Sequence, residues 1–155
     1  CVRFVNGYPY KSGYRKFKIR TLQFKQDDYS MIKEIVHRKY SFHKVSDEDD
    51  KLNNKNNNIN SINNNKLDNS FPHLIVIDGG KGQLASAQVV LKKMDLNIPL
   101  ISLAKENEDI YTTFSPEPLQ ISKKNPALHL LQFVRDEAHR FGLAYNIKLR
   151  AINLK

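Results

Sequence analysis

The segment DGGKGQ, residues 78–83, is the first place where the residue types could do chemistry. Asp78 follows residues 74–77, a continuous apolar run of the kind found in strands buried on both faces, and we expect this strand to be central. Ligands bind at the carboxyl ends of strands in open α/β sheets, where a carboxylate suits Mg²⁺ or Mn²⁺. An alternative interpretation stays open, in which Asp78 merely caps the next helix. The segment lacks the Walker spacing, so nucleotide hydrolysis is not supported.

His139 is the second candidate, because it follows Ala138 at the edge of the predicted buried face of the last helix. An imidazole titrates near neutrality, which suits a general base or a metal ligand. Arg135 precedes it by one turn, and we expect Asp136 to pair with Arg140 at i, i+4. The alternative is a hydrogen-bonded packing histidine.

Basic residues with interleaved aromatics are the third feature. Residues 11–20, KSGYRKFKIR, hold five cations and no acid, and residues 139–155 hold no acid either. The formal net charge is +9 and the pI about 9.6. This pattern is typical of proteins that bind a phosphate backbone, and the alternative is a solvated basic face.

Composition narrows the class of protein. With 155 residues, of which 40% are hydrophobic, the chain can form one domain with a hydrophobic core. The sequence has no apolar run long enough to span a membrane. The single cysteine, Cys1, excludes a disulfide framework and a cysteine-based zinc site. A reducing, cytosolic compartment is the expectation.

The pattern of elements predicts a mixed-sheet α/β domain. Asn6-Gly7 predicts a hairpin, residues 14–19 alternate as a second strand would, and residues 28–40 have helical spacing after two candidate capping aspartates. Residues 44–70 are rich in asparagine and predict a disordered insertion.

The second half predicts a strand–helix–strand unit with parallel strands, the second strand covering residues 99–104. A small hairpin from residues 110–114 and 119–121 follows. Asn125 as cap and Pro126 in the first turn predict the last helix, with an apolar stripe that ends at Tyr145.

Three segments, LIVIDGGKGQLASA (74–87), ISLAKENEDIY (101–111) and residues 125–150, together resemble the endonuclease region of UvrC. UvrC is the incision subunit of bacterial nucleotide-excision repair. The resemblance covers nearly the whole chain except the asparagine tract. It implies an RNase H-like fold, Mg²⁺ or Mn²⁺ as cofactor, damaged double-stranded DNA as substrate, and UvrB as a partner bound by parts outside this chain.

The resemblance also assigns roles. Matched by motif, Asp78 is the second catalytic aspartate and a metal ligand, His139 the catalytic histidine and a possible ligand, and Asp28 a further acidic position linked to activity. Lys105 matches a lysine near the family's site. The residues expected to hold the DNA backbone are Arg15, Lys16, Lys18, Lys81, Lys105, Arg135 and Arg140.

One departure from the family pattern is expected to matter. The family's first catalytic aspartate stands in an F-D-I-S-H segment on a first strand that would precede Cys1, so the chain as given would lack one strand and be inactive alone. Asn146 also replaces an expected histidine. The alternative function is therefore a non-catalytic DNA-binding or scaffold module.

Overall fold

A computed structural model describes residues 1–20, 27–41 and 71–153. The asparagine-rich insertion predicted at 44–70 lies outside these residues. The elements, in chain order, are β1 (Phe4–Val5), β2 (Tyr8–Pro9), a short 3₁₀ helix (Lys11–Gly13), α1 (Asp28–Tyr40), β3 (Ile75–Asp78), α2 (Lys81–Lys93), β4 (Leu100–Leu103), β5 (Ile110–Thr112) and α3 (Pro126–Asn153). None of these described helices is both long and apolar enough to cross a membrane.

The main sheet has three strands in the order β3–β4–β5. β3 and β4 are parallel and β5 is antiparallel to β4, so the predicted strand–helix–strand unit is confirmed. The prediction that β3 is central was wrong for the described residues, because β4 lies in the middle. The amino-terminal hairpin forms a separate two-stranded sheet and does not extend the main sheet beyond β3.

Helices cover both faces of this sheet. On one face α1 and α2 pack in a cluster that contains Ile77, Leu91 and Leu100. On the other face α3 contributes Leu128, which is buried with Leu103 and Ile110. The apolar residues at helical spacing along α2 and at its carboxyl-terminal cap are all buried, namely Leu84, Ala87, Val90, Leu91 and Met94.

The amino-terminal segment was only partly predicted. The Asn6-Gly7 turn forms, with positive φ at both residues as a type I′ turn requires. The strand predicted over residues 14–19 was wrong, because only Arg15 has a strand-like partner in the described chain: it exchanges two backbone hydrogen bonds of 3.0 Å with Cys1. Its side chains instead contact two helices, α3 through Tyr14 and α1 through Phe17, which gives the same alternation without a sheet.

Two helix starts were predicted correctly. The Asp27 carboxylate accepts a hydrogen bond from the Tyr29 amide at 3.0 Å, and the Asn125 side chain accepts one from the Ala127 amide at 2.9 Å. The small hairpin after β5 is reduced to a single bridge between Ile110 and Leu119.

Candidate active site

Asp78 is the last residue of β3 and lies on the face of the sheet that α3 covers. Ile77 belongs to the cluster formed with α1 and α2, and successive side chains of a strand point to opposite faces. Asp78 therefore shares a face with its register partner Leu103, which packs with Leu128 of α3. The Gly79 amide donates to the Leu103 carbonyl at 3.1 Å and fixes the strand end, while Asp78 itself is exposed.

The turn after Asp78 supplies its own helix cap. The Gln83 side chain accepts a hydrogen bond from the Gly80 amide at 2.6 Å and fills the space where a Cβ of Gly79 would stand. Gly79 also has φ +150°, so the turn needs glycine there. Since Gly80 is the capping residue of α2, the alternative that Asp78 merely caps this helix is wrong.

Asp28 lies at the start of α1, which meets the same turn. The ring of Tyr29 sits so close to Gly82 that a Cβ there would come within 2.7 Å of it. Glycine at 82 therefore allows the amino end of α1 to approach the amino end of α2. The packing brings the segment of Asp28 to the turn that follows Asp78.

The sheet-facing side of α3 carries His139. His139 follows the buried Leu128 by about three helical turns and Arg135 by about one, so the three share one side of the helix. Arg135 forms an ion pair of 2.7 Å with Glu108, which stands in the loop after β4. Because Leu103 of β4 pairs with Asp78 and packs against Leu128, His139 lies on the side of α3 that packs on the sheet face of Asp78.

Asp78, His139 and Asp28 are all available to bind a ligand. All three are exposed, and among the described residues none of their side chains has a hydrogen-bond or ion-pair partner. By contrast, Glu108 and Asp27 are committed to other groups. Within the described chain no group of three or more His, Cys, Asp or Glu side chains is placed to hold a metal ion.

The basic residues expected to hold DNA fall into two groups. Arg135 is held by Glu108 and Asp136 with only 12% of its side chain exposed, and Arg140 donates twice to Glu137 at 2.7 Å. The predicted Asp136–Arg140 pair was therefore wrong, because the buried Glu137 takes Arg140 and leaves Asp136 to Arg135.

The remaining cations are more available. Lys16 lies over two rings of α3, 5.2 Å from the Phe141 centroid and 5.3 Å from that of Tyr145, and Arg15 donates to backbone carbonyls. Lys81 donates to a carbonyl of the loop after β5. The ammonium groups of Lys18 and Lys105 have no partner among the described residues.

Comparison with known proteins decides the family. Residues 1–143 match the UvrC RNAse H endonuclease domain. The chain belongs to this family. The expected RNase H-like α/β fold is thereby confirmed.

Several curated proteins named UvrABC system protein C are similar to this UvrC domain. That of Prosthecochloris aestuarii is 44% identical over 149 residues, that of Methanococcus maripaludis 45% over 149, and that of Dehalococcoides mccartyi 42% over 153. Each match covers 96% of this chain and 21%, 24% and 22% of the respective relative. The chain thus spans less than a quarter of the length of these relatives.

Glu137 is the residue of this UvrC domain that the sequence pattern did not reveal. It is 9% exposed, accepts a hydrogen bond from the Tyr14 hydroxyl at 2.9 Å and binds Arg140. The Arg140 hydrogen bonds lower the pKa of Glu137 to about 2, whereas burial and the bond to Glu137 raise the pKa of Tyr14 to about 12. In the sequence, Glu137 stands in the charged run RDEAHR, where a solvent-exposed side chain is the natural expectation. Its hydrogen bond to Tyr14, 123 residues away, cannot be recognised from the local sequence.

Proposed function

We propose that this chain contributes the cutting site for the metal-dependent 5′ incision of damaged double-stranded DNA in nucleotide-excision repair. The family is that of an endonuclease domain, and the relatives are named for the UvrABC system. Two observations support the proposal: Asp78 lies on the sheet face against which Leu128 of α3 packs, and His139 follows Leu128 by about three turns on the same side of α3. Both side chains are exposed and free of partners among the described residues. The proposal places the chain in the cytoplasm, acting with UvrB.

The donor set fits a loosely held hard cation. Mg²⁺ is commonly bound through one or two carboxylates, several waters and substrate phosphates, so a site without three protein ligands is compatible with it. Asp78 and His139 are the residues of this chain that would hold Mg²⁺ or Mn²⁺. When bound, the ion would supply polarisation of the scissile phosphate and a lower pKa for a bound water.

The other side chains have supporting roles in this proposal. If His139 does not bind the ion, its imidazole would instead accept a proton from the attacking water, since its side chain is free of protein hydrogen bonds in the described chain. Asp28 would orient water from the end of α1. Lys18 and Lys105 would contact phosphates, which gives affinity without sequence preference.

The test compares nicking of damaged duplex by Asp78→Asn and His139→Gln variants in the full-length protein with Mn²⁺. Each should lose about 10²-fold or more in rate, because each removes a group that acts at the reacting phosphate. Asp95→Asn is the matched control: Asp95 is exposed beyond the far end of α2, and its φ of +55° is one that asparagine tolerates. Normal nicking by Asp78→Asn would refute the assignment.

A non-catalytic DNA-binding module is the second candidate. It is favoured by Lys18 and Lys105, whose ammonium groups have no partner among the described residues. This candidate predicts that the 155-residue chain binds duplex DNA and that neither Asp78→Asn nor His139→Gln changes any incision by the full-length protein. The nicking comparison therefore separates the two functions.

A further inference from the structure

Phe114 is the most exposed large hydrophobic side chain among the described residues, with 83% of its surface open. It lies in the loop of residues 113–118 between β5 and the bridging residue Leu119. Single exposed apolar residues are ordinary on protein surfaces, so exposure alone carries no argument. What distinguishes Phe114 is the structure of the loop that holds it.

The loop is built to be stiff. Its base is closed by the Leu119 amide, which donates to the Ile110 carbonyl at 2.7 Å. Inside it, the Ser115 hydroxyl donates to the Glu117 carbonyl at 3.1 Å and accepts from the Glu117 amide at 3.2 Å. Prolines at 116 and 118 fix two further φ angles. The backbone that carries Phe114 is therefore restrained on its carboxyl side, so less backbone ordering is needed when the exposed ring binds a partner.

The same loop is tied to the candidate active site. The Lys81 ammonium donates to the Pro116 carbonyl at 3.0 Å, and Lys81 follows Asp78 by three residues. Three residues of backbone and one lysine side chain limit the distance from the Asp78 backbone to Pro116 to about 20 Å. Along one strand of duplex DNA that upper bound corresponds to about six nucleotides.

We propose that Phe114 is a stacking platform for an unpaired DNA base beside the Asp78 site. An aromatic face next to cations is the combination that binds single strands without sequence preference, since every base has a π-face and every nucleotide a phosphate. Lys81 supplies a cation at the loop, and the whole chain carries +9. The inference rests on the proposed function, because it takes DNA distorted by damage as the source of the unpaired base.

The chain contains no tryptophan, so Phe114→Trp creates a single fluorescent reporter. The probes are an oligodeoxythymidylate of about 12 nucleotides and an abasic strand of the same length. We expect base-bearing DNA to quench Phe114→Trp strongly and the abasic strand to quench it weakly. Tyr8→Trp is the control, because Tyr8 is 76% exposed on the separate hairpin.

Affinity gives a second readout. Phe114→Ala and Phe114→Leu should each weaken binding of the base-bearing strand by about 5- to 100-fold and leave binding of the abasic strand unchanged. Phe114→Tyr should bind as the parent does, since it keeps the aromatic face. Equal quenching by the two strands, or unchanged affinity of Phe114→Ala, would overturn the inference and leave Phe114 as a contact for another protein surface.

These measurements are made without divalent metal, which separates the two proposals. If Asp78→Asn abolishes nicking while Phe114→Ala binds normally, only the stacking inference fails. If Phe114→Ala loses affinity for base-bearing DNA while Asp78→Asn nicks normally, the nuclease assignment fails and the stacking site stands.

Discussion

Individual carboxylates in this domain separate into those that hold the fold and those left free. Glu137 and Glu108 each bind an arginine and are largely buried, whereas Asp78 and Asp28 are exposed and without partners among the described residues. A carboxylate committed to arginine has little capacity to hold a cation, because its charge is already compensated. Asp78 and Asp28 are therefore available for chemistry, and the position at the end of β3 distinguishes Asp78 from other exposed acids such as Asp95.

The first prediction concerns Glu137, whose pKa is lowered to about 2 by its hydrogen bonds from Arg140. A depressed pKa in the folded state stabilises the protein above the unfolded-state value of 4.5, and this contribution is lost as pH falls from about 4.5 toward 2. Glu137→Gln should therefore unfold at a lower urea concentration than the parent at pH 7. The difference between the two urea midpoints should become smaller as the pH falls from about 4.5 toward 2.

Glu117→Gln is the control, since Glu117 is exposed in the loop after β5. Urea denaturation at several pH values gives the comparison. A difference in urea midpoint between Glu137→Gln and the parent that stays constant from pH 7 to pH 3 would contradict this account of Glu137.

Helices and strands show why the sequence predicted some elements and not others. α2 and the starts of α1 and α3 were predicted because local signals decide them: apolar spacing, a capping aspartate, and Asn125 before Pro126. Residues 14–19 were predicted as a strand because their side chains alternate between two environments. An extended segment that contacts one helix on each side shows the same alternation as a strand in a sheet.

The site shows the same division. Asp78 and His139 could be picked out by residue type and position, but their placement on one face follows from the β3–β4 register and from where α3 crosses the sheet. Neither is a local property. The Arg140–Glu137 pair was missed because burial, which the pattern does not reveal, selects Glu137 over Asp136.

The second prediction tests how α3 is held on the sheet. Leu128 is 2% exposed between Leu103 and Ile110, so Leu128→Ala should lower the free energy of unfolding by about 2–5 kcal/mol through lost burial and a cavity. Leu143→Ala is the matched change on the same helix, where the side chain is 50% exposed, and should stay within about 0.5 kcal/mol of the parent. Equal losses for the two variants would contradict the packing described here.

At the scale of the whole molecule, the distribution of unpaired cations determines where the domain can bind the phosphates of DNA. The 25 lysines and arginines overstate the available cations, because Arg135 and Arg140 are paired with carboxylates. Lys18 and Lys105 are free among the described residues. Binding that depends on such cations releases counterions and weakens as salt rises.

The third prediction follows from this distribution. Lys18→Gln should reduce the slope of log affinity for duplex DNA against log salt concentration by about 1, the value for one lost phosphate contact. Lys93→Gln, at the exposed carboxyl end of α2, is the control and should leave the slope unchanged. Affinity measured by fluorescence anisotropy over a salt series gives the slope for each protein. Identical slopes for the parent and the two variants would show that Lys18 does not contact a DNA phosphate.

The most direct test of the central claim is electron paramagnetic resonance of Mn²⁺ bound to the full-length protein. If Asp78 and His139 share one ion, pulsed spectra show coupling to an imidazole nitrogen that disappears in His139→Gln, and Asp78→Asn weakens Mn²⁺ binding while Asp95→Asn does not. Mn²⁺ that binds equally to all four proteins with the same nitrogen coupling would contradict the shared site.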